Sequence, residues 1–180
     1  MKNKLIPIYR EKELYTLFYD KEHTELYKVQ HRKKTYVVYI MLFLIVIYGS
    51  DFADRFYSQI QSTFLNIAMV MIMFVLSYFI GLIIYRNYYL EDTARPVFFD
   101  PEYLEELAIK GKKQLRIELF GCGLAILLAI GGFGFFLLIH QIVLLIIGGV
   151  GIAALWVLVF MKPVERVKVL KGFRKKEIEL

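Results

Sequence analysis

His140-Gln141 is the one strongly polar pair in residues 119–161, a stretch without a single charged side chain. A histidine there has two roles open to it. Paired with Asp51 or Asp54 it could hold a metal ion or pass a proton, and unpaired it simply makes a wet turn. The other residues with chemistry to offer are scattered. Cys122 precedes His140 by 18 residues, about 27 Å along a helix, too far for a thiolate–imidazole pair. A lone cysteine excludes an intrachain disulfide framework and a cysteine-based zinc site. Cys122 is therefore read as a small packing residue. His23 and His31 lack a second ligand at metal spacing. Gly148-Gly149-Val150-Gly151 has a phosphate loop's glycines, but no lysine follows and the surroundings are apolar. Asp100, Glu102 and Glu105 beside basic residues would suit an enzyme acting on lipid at a membrane face. The same carboxylates have a sufficient role beside a helix start. No enzymatic chemistry, cofactor or metal site is expected.

The elements that would position these residues follow from where apolar residues fall. The chain has 180 residues, 58% of them hydrophobic, and they are gathered into blocks. Each helical crossing needs about 20 apolar residues. Residues 119–161 are long enough for two crossings, and 64–85 supply another without charge. Residues 36–48 are shorter and are extended by Thr35 and residues 49–52. Backbone amides in lipid must pair within their own segment, so the segments should be helices. The expectation is an all-α integral membrane protein with four transmembrane helices in two hairpins. The boundaries are 35–52 and 64–85 around an outer loop at 51–63, then 118–139 and 142–161. Residues 1–34 form an N-terminal segment with a helix, 86–117 a linker with a helix, and 162–180 a basic tail. The first 34 residues are polar, and no cleavable signal peptide is expected.

Charge orients the spans. Residues 1–34, 86–116 and 162–180 hold 22 of the 23 lysines and arginines. Four crossings place these three segments on one side, which the positive-inside rule makes cytoplasmic. The expected location is a cell membrane, plasma or inner, with both termini cytoplasmic and residues 51–63 outside. Basic charge this close to the spans points to anionic lipid headgroups rather than nucleic acid. The candidate contacts are Arg32, Lys33, Lys112, Lys113, Arg174, Lys175 and Lys176.

An internal repeat links the two halves. At an offset of 80, Phe18, Asp20, Glu22, Glu25 and Lys33 match Phe98, Asp100, Glu102, Glu105 and Lys113. Each copy is followed by a two-span block, which suggests a tandem duplication. Asp20 and Asp100 would each cap a cytoplasmic helix, and Pro101 suits a first helical turn. Side by side, the two helices would form a platform carrying Tyr27, Leu104 and Leu107, apolar residues placed to meet a partner.

Small residues recur every four positions in the last two spans. Gly121, Ala125 and Ala129 lie on one helix and Gly149 and Ala153 on the next, a spacing that lets backbones approach closely in lipid. The stripes pack these spans together within the chain or form a seam between two copies. The functional expectation is a small polytopic membrane protein that works through protein–protein contacts. It would serve as an accessory subunit, a regulator or an immunity-type protein, with a membrane protein partner or a homo-oligomer. The alternatives are an oligomeric channel or passive carrier, and the lipid enzyme above.

Overall fold

The computed structural model describes residues 5–11, 14–32, 36–89 and 91–175. In chain order the elements are β1 (Leu5–Glu11), β2 (Tyr15–Asp20), β3 (Glu25–Gln30), α1 (Tyr36–Ile60), α2 (Thr63–Tyr88), β4 (Arg95–Val97), α3 (Pro101–Ile139), α4 (Ile142–Phe160) and α5 (Pro163–Arg174). The chain divides into two compact units. Unit 1 comprises Met1–Lys33, Ile83–Gly121 and Val157–Leu180, and unit 2 comprises Lys34–Leu82 and Cys122–Trp156.

Unit 1 is built around an antiparallel sheet in the order β1-β2-β3-β4. Its strands alternate, as a sheet with two different faces requires. Ile6, Ile8, Leu17, Tyr19 and Leu26 meet Leu104, Leu107 and Ala108 of α3 and Val169, Leu170 and Phe173 of α5 in one buried cluster. Phe18 and Val29 form a second cluster with Tyr89, against which Tyr85 and Tyr88 at the end of α2 pack. The register slips between Pro7 and Tyr9, a β-bulge in β1. Unprotected sheet edges invite foreign strands. Here the β1 edge is occupied by side chains: the Arg10 amide donates to Gln114 Oε1 at 2.9 Å, and Arg166 Nε donates to the Ile8 carbonyl at 3.0 Å. The other edge, β4, has only three residues and includes Pro96.

Unit 2 is helical. Helices α2, α3 and α4 are long and apolar enough to cross a membrane. Helix α2 is apolar on all sides and mostly unburied within the chain, a pattern that suits a membrane span. Where α3 meets α4 the backbones touch through glycine. A Cβ on Gly151 would stand 2.7 Å from both the Ala125 oxygen and the Ala129 nitrogen, and one on Gly132 would stand 2.4 Å from the Gly148 nitrogen. Ser77 on α2 lies 2.7 Å from the Met73 carbonyl and 2.9 Å from the Gly149 carbonyl of α4, sharing its one proton between them.

Four expectations are corrected. The protein is not all-α, because β1, β2 and β3 lie where an N-terminal segment with a helix was expected. Tyr15-Thr16-Leu17-Phe18-Tyr19 is rich in aromatic and β-branched side chains, which favour a half-buried strand. Residues 21–24, with Thr24 at φ 56°, then turn the chain back. The repeat fails with it, since residues 18–30 are strand and turn while residues 101–113 are helix. Asp20 fastens the hairpin turn, its Oδ1 accepting from the Glu22 amide at 2.9 Å and its Oδ2 lying 2.9 Å from His23 Nδ1. Asp100 does precede a helix, its carbonyl accepting the Leu104 amide. The outer loop is also shorter than expected. Helix α1 runs on to Ile60 and leaves Gln61 and Ser62 between helices, because residues 51–60 lack glycine and proline to stop it. The linker helix and the third span are likewise one continuous helix of 39 residues, about 58 Å long.

Candidate functional site

Helices α3 and α5 approach each other in unit 1 at Gly111. A Cβ there would come within 2.9 Å of both the Ile8 carbonyl oxygen and Leu170 Cδ2, so only glycine lets α3 lie this close to the edge strand and to α5. Beside this contact the two helices diverge around a groove of about 1070 Å³. Its floor is apolar, with Ala108, Leu115 and Leu119 from α3 and Val167 and Leu170 from α5. Its rim is cationic, with Lys112, Lys113 and Arg116 on α3 and Lys171, Arg174 and Lys175 on α5. Among the described residues no carboxylate lines it.

Helical spacing produces this arrangement. Residues 108, 112, 115 and 119 follow one face of α3 at intervals of four, three and four, with 109, 113 and 116 beside them. The spacing also places Lys112 against Arg116 and Lys171 against Lys175 as like-charged neighbours one turn apart. Each such pair opposes helix stability by about 0.2–0.5 kcal/mol. On the α5 side, Lys171, Arg174 and Lys175 also complement the C-terminal end of the helix dipole, whereas Lys112, Lys113 and Arg116 lie inside α3 and have no such role. The two rims together suit an amphiphile with an anionic head.

A buried ionic link holds the two walls in place. Arg166 on α5 is 2% exposed. Its Nη1 donates to Glu118 Oε2 at 2.5 Å and its Nη2 to Gln114 Oε1 at 3.3 Å, while Nε reaches the Ile8 carbonyl. The planar guanidinium therefore ties α5 to α3 and to β1 simultaneously, which a lysine's single ammonium does not reproduce. Helix α5 itself begins after a break. Lys162 takes a left-handed conformation, and Pro163 opens the first turn.

The candidate residues read from sequence separate into distinct groups. Lys112, Lys113, Arg174 and Lys175 are brought together on the groove, and Arg32 lies exposed at the end of the sheet, its amide donating to the Tyr88 carbonyl. Lys33 and Lys176 lie outside the described residues. Leu104 and Leu107 are 4% and 2% exposed and are packed in the core of their own unit, so they present no surface to a partner. The reason is the sheet, which supplies the apolar cover that a lone helix would have sought elsewhere. Tyr27 is on β3, half-buried against Phe18 and Val29, with its hydroxyl donating to Glu25 Oε2 at 2.7 Å. Ala125, Ala129, Gly149 and Ala153 are buried in unit 2, although Gly149 faces Met73 of α2 rather than α3. Gly121 is exposed, and a Cβ there would meet nothing.

The polar contact found for His140 is with Asn66 rather than with Asp51 or Asp54. Its Nδ1 accepts from Asn66 Nδ2 at 2.9 Å, and Asn66 Oδ1 accepts from the Tyr57 hydroxyl. Asp54 instead accepts the Ile142 amide at 2.7 Å and so caps the start of α4. Among the described residues no group of three or more His, Cys, Asp and Glu side chains is placed to hold a metal ion. Arg116 on the groove is a cation that sequence reasoning missed. The signal for Arg116 is its interval of four from Lys112. Comparison with protein-family models, with curated proteins and with solved structures returned no match.

Proposed function

We propose that this chain is a four-span integral membrane protein of a plasma or inner membrane, with α1 as the span before α2, α3 and α4. Unit 1 and both termini are cytoplasmic, and the protein works by binding rather than by making or breaking bonds. Its site is the α3–α5 groove, and the ligand is the headgroup region of anionic lipid. The single observation that carries this reading is an apolar trough edged, among the described residues, by six cations. Several features support it. Three helices are apolar enough to cross a bilayer, and 22 of 23 basic residues fall on segments that share one side under a four-span topology. Each lysine or arginine near a negatively charged leaflet contributes about 1 kcal/mol, so a rim of six is a substantial attachment. A protein of this kind is an accessory or regulatory component of the membrane, joined to a membrane protein partner or to a second copy and sensitive to the lipid around it.

The test is the lipid that stays with the purified chain. Protein extracted in mild detergent should carry anionic phospholipid, measured as phosphorus per protein with headgroup analysis. Replacing Lys112, Lys113, Arg116, Lys171, Arg174 and Lys175 by glutamine should remove most of it. Equal lipid phosphorus on both proteins would overturn the reading.

A further inference from the structure

The division of the six cations between two helices carries the reading one step further. We infer that the groove takes a phospholipid bearing two separated phosphate groups on a short polyol bridge, the cardiolipin type. This inference rests on the anionic-lipid reading of the same groove. A lipid with one phosphate engages the cations of one wall and makes no use of those on the other. A pyrophosphate-headed lipid concentrates its charge at a single point and has the same defect. Here Lys112, Lys113 and Arg116 stand on the α3 wall, while Lys171, Arg174 and Lys175 stand on the α5 wall. Two phosphates joined by a polyol can engage both walls at once, one on each. The second contact is then intramolecular and adds affinity without a second binding event. Basic pockets beside spans on the cytoplasmic side are suited to headgroups of this kind. The floor fits the same ligand: Leu115, Leu119, Val167 and Leu170 offer the glycerol and first acyl carbons an apolar bed. The volume, about 1070 Å³, is just above the ~300–1,000 Å³ typical of small-molecule pockets, room enough for a headgroup with two phosphates.

Full-length protein freed of lipid by detergent exchange would be titrated with cardiolipin, phosphatidylglycerol and phosphatidylcholine at matched phosphate, and its thermal unfolding followed. Cardiolipin should stabilise at a phosphate concentration at least tenfold lower than phosphatidylglycerol. Phosphatidylcholine should have little effect. Neutralising one wall (Lys112→Gln, Lys113→Gln and Arg116→Gln, or Lys171→Gln, Arg174→Gln and Lys175→Gln) should reduce the cardiolipin response to the phosphatidylglycerol level. Arg95→Gln, on β4 and away from the groove, should leave the preference intact and report on folding. If cardiolipin and phosphatidylglycerol act equally per phosphate, or if each wall variant weakens both alike, the two-phosphate inference is overturned and the anionic-lipid reading stands. If none of the lipids has an effect, both are overturned.

Discussion

Removing the Arg166 guanidinium should do more damage than any other single change at the groove. Its side chain is 3% exposed and that of Glu118 14%, so Arg166→Met leaves a carboxylate with little water and no partner. The same change removes the donors to the Ile8 carbonyl and to Gln114 Oε1. Breaking a buried ion pair from one side destabilises by about 3–5 kcal/mol. Partial access of water to Glu118 favours the lower end, about 3 kcal/mol. Arg166→Lys should recover less than half of that, because an ammonium cannot meet three acceptors set in a fork. The double variant Arg166→Met with Glu118→Leu should be more stable than Arg166→Met alone, since a buried pair replaced by apolar groups of similar volume is often neutral. Unfolding in mild detergent gives the cycle of four proteins, and hydrogen exchange at the β1 amides locates the loss. A cost under about 1 kcal/mol for Arg166→Met would refute the buried link. So would a double variant whose loss equals the sum of the singles.

Other contacts give further predictions. Gly111→Ala should destabilise by about 1 kcal/mol net, because overpacking against the Ile8 carbonyl outweighs the gain in helix propensity; a stabilised variant would contradict the packing. Gly121→Ala, with open space around it, should be neutral or stabilising in the same assay. Gly151→Val should separate α3 from α4 and cost about 3 kcal/mol or more, while Gly123→Val, where a Cβ meets nothing, should melt like the parent. Asn66→Leu strands the Tyr57 hydroxyl and His140 Nδ1 and should cost about 1–3 kcal/mol; an unchanged melting temperature would show that water replaces the amide. The His23 ring, with help from the Glu22 amide, holds the Asp20 carboxyl below its ordinary range. Its stabilisation is present above the unfolded-state value of about 3.9 and is lost as pH falls through the lower folded value. Thermal midpoints measured from pH 5 to pH 2 should fall more steeply for the parent than for Asp20→Asn, and parallel curves would contradict the assignment.

The apolar half of the architecture was legible because lipid imposes one rule, helices without charge for about 20 residues. The charge-free residues 64–85, 119–139 and 142–160 fall on α2, α3 and α4, the three helices long and apolar enough to cross a membrane. The sheet was hidden for a physical reason. Its strands are six or seven residues long and alternate weakly, and β4 lies 65 positions after β3 in a segment that looks like a linker. Acidic and basic residues at matching offsets in residues 18–34 and 98–113 imitated a duplicated helix. Pro101 starts a helix, whereas Thr24 closes a hairpin. At the groove, the charges of Lys112, Lys113, Arg174 and Lys175 were visible as cations flanking long apolar blocks, but which walls they share is tertiary information. Arg166 shows the limit most clearly. In sequence it is one more cation of the tail, and only folding separates it from its exposed neighbours Lys168 and Lys171.

The central claim is that anionic lipid occupies the α3–α5 groove in the living membrane. A photo-crosslinking residue placed at Ile109, a groove residue 59% exposed, and separately at Phe98, 75% exposed and outside the groove, measures this directly. Cells grown on radioactive phosphate would be irradiated intact and the full-length chain isolated under denaturing conditions. The account predicts phosphate label on the chain modified at Ile109, little on the chain modified at Phe98, and loss of the Ile109 label when the six rim cations are glutamine. Equal labelling at the two positions, or an Ile109 signal indifferent to the rim, would contradict it.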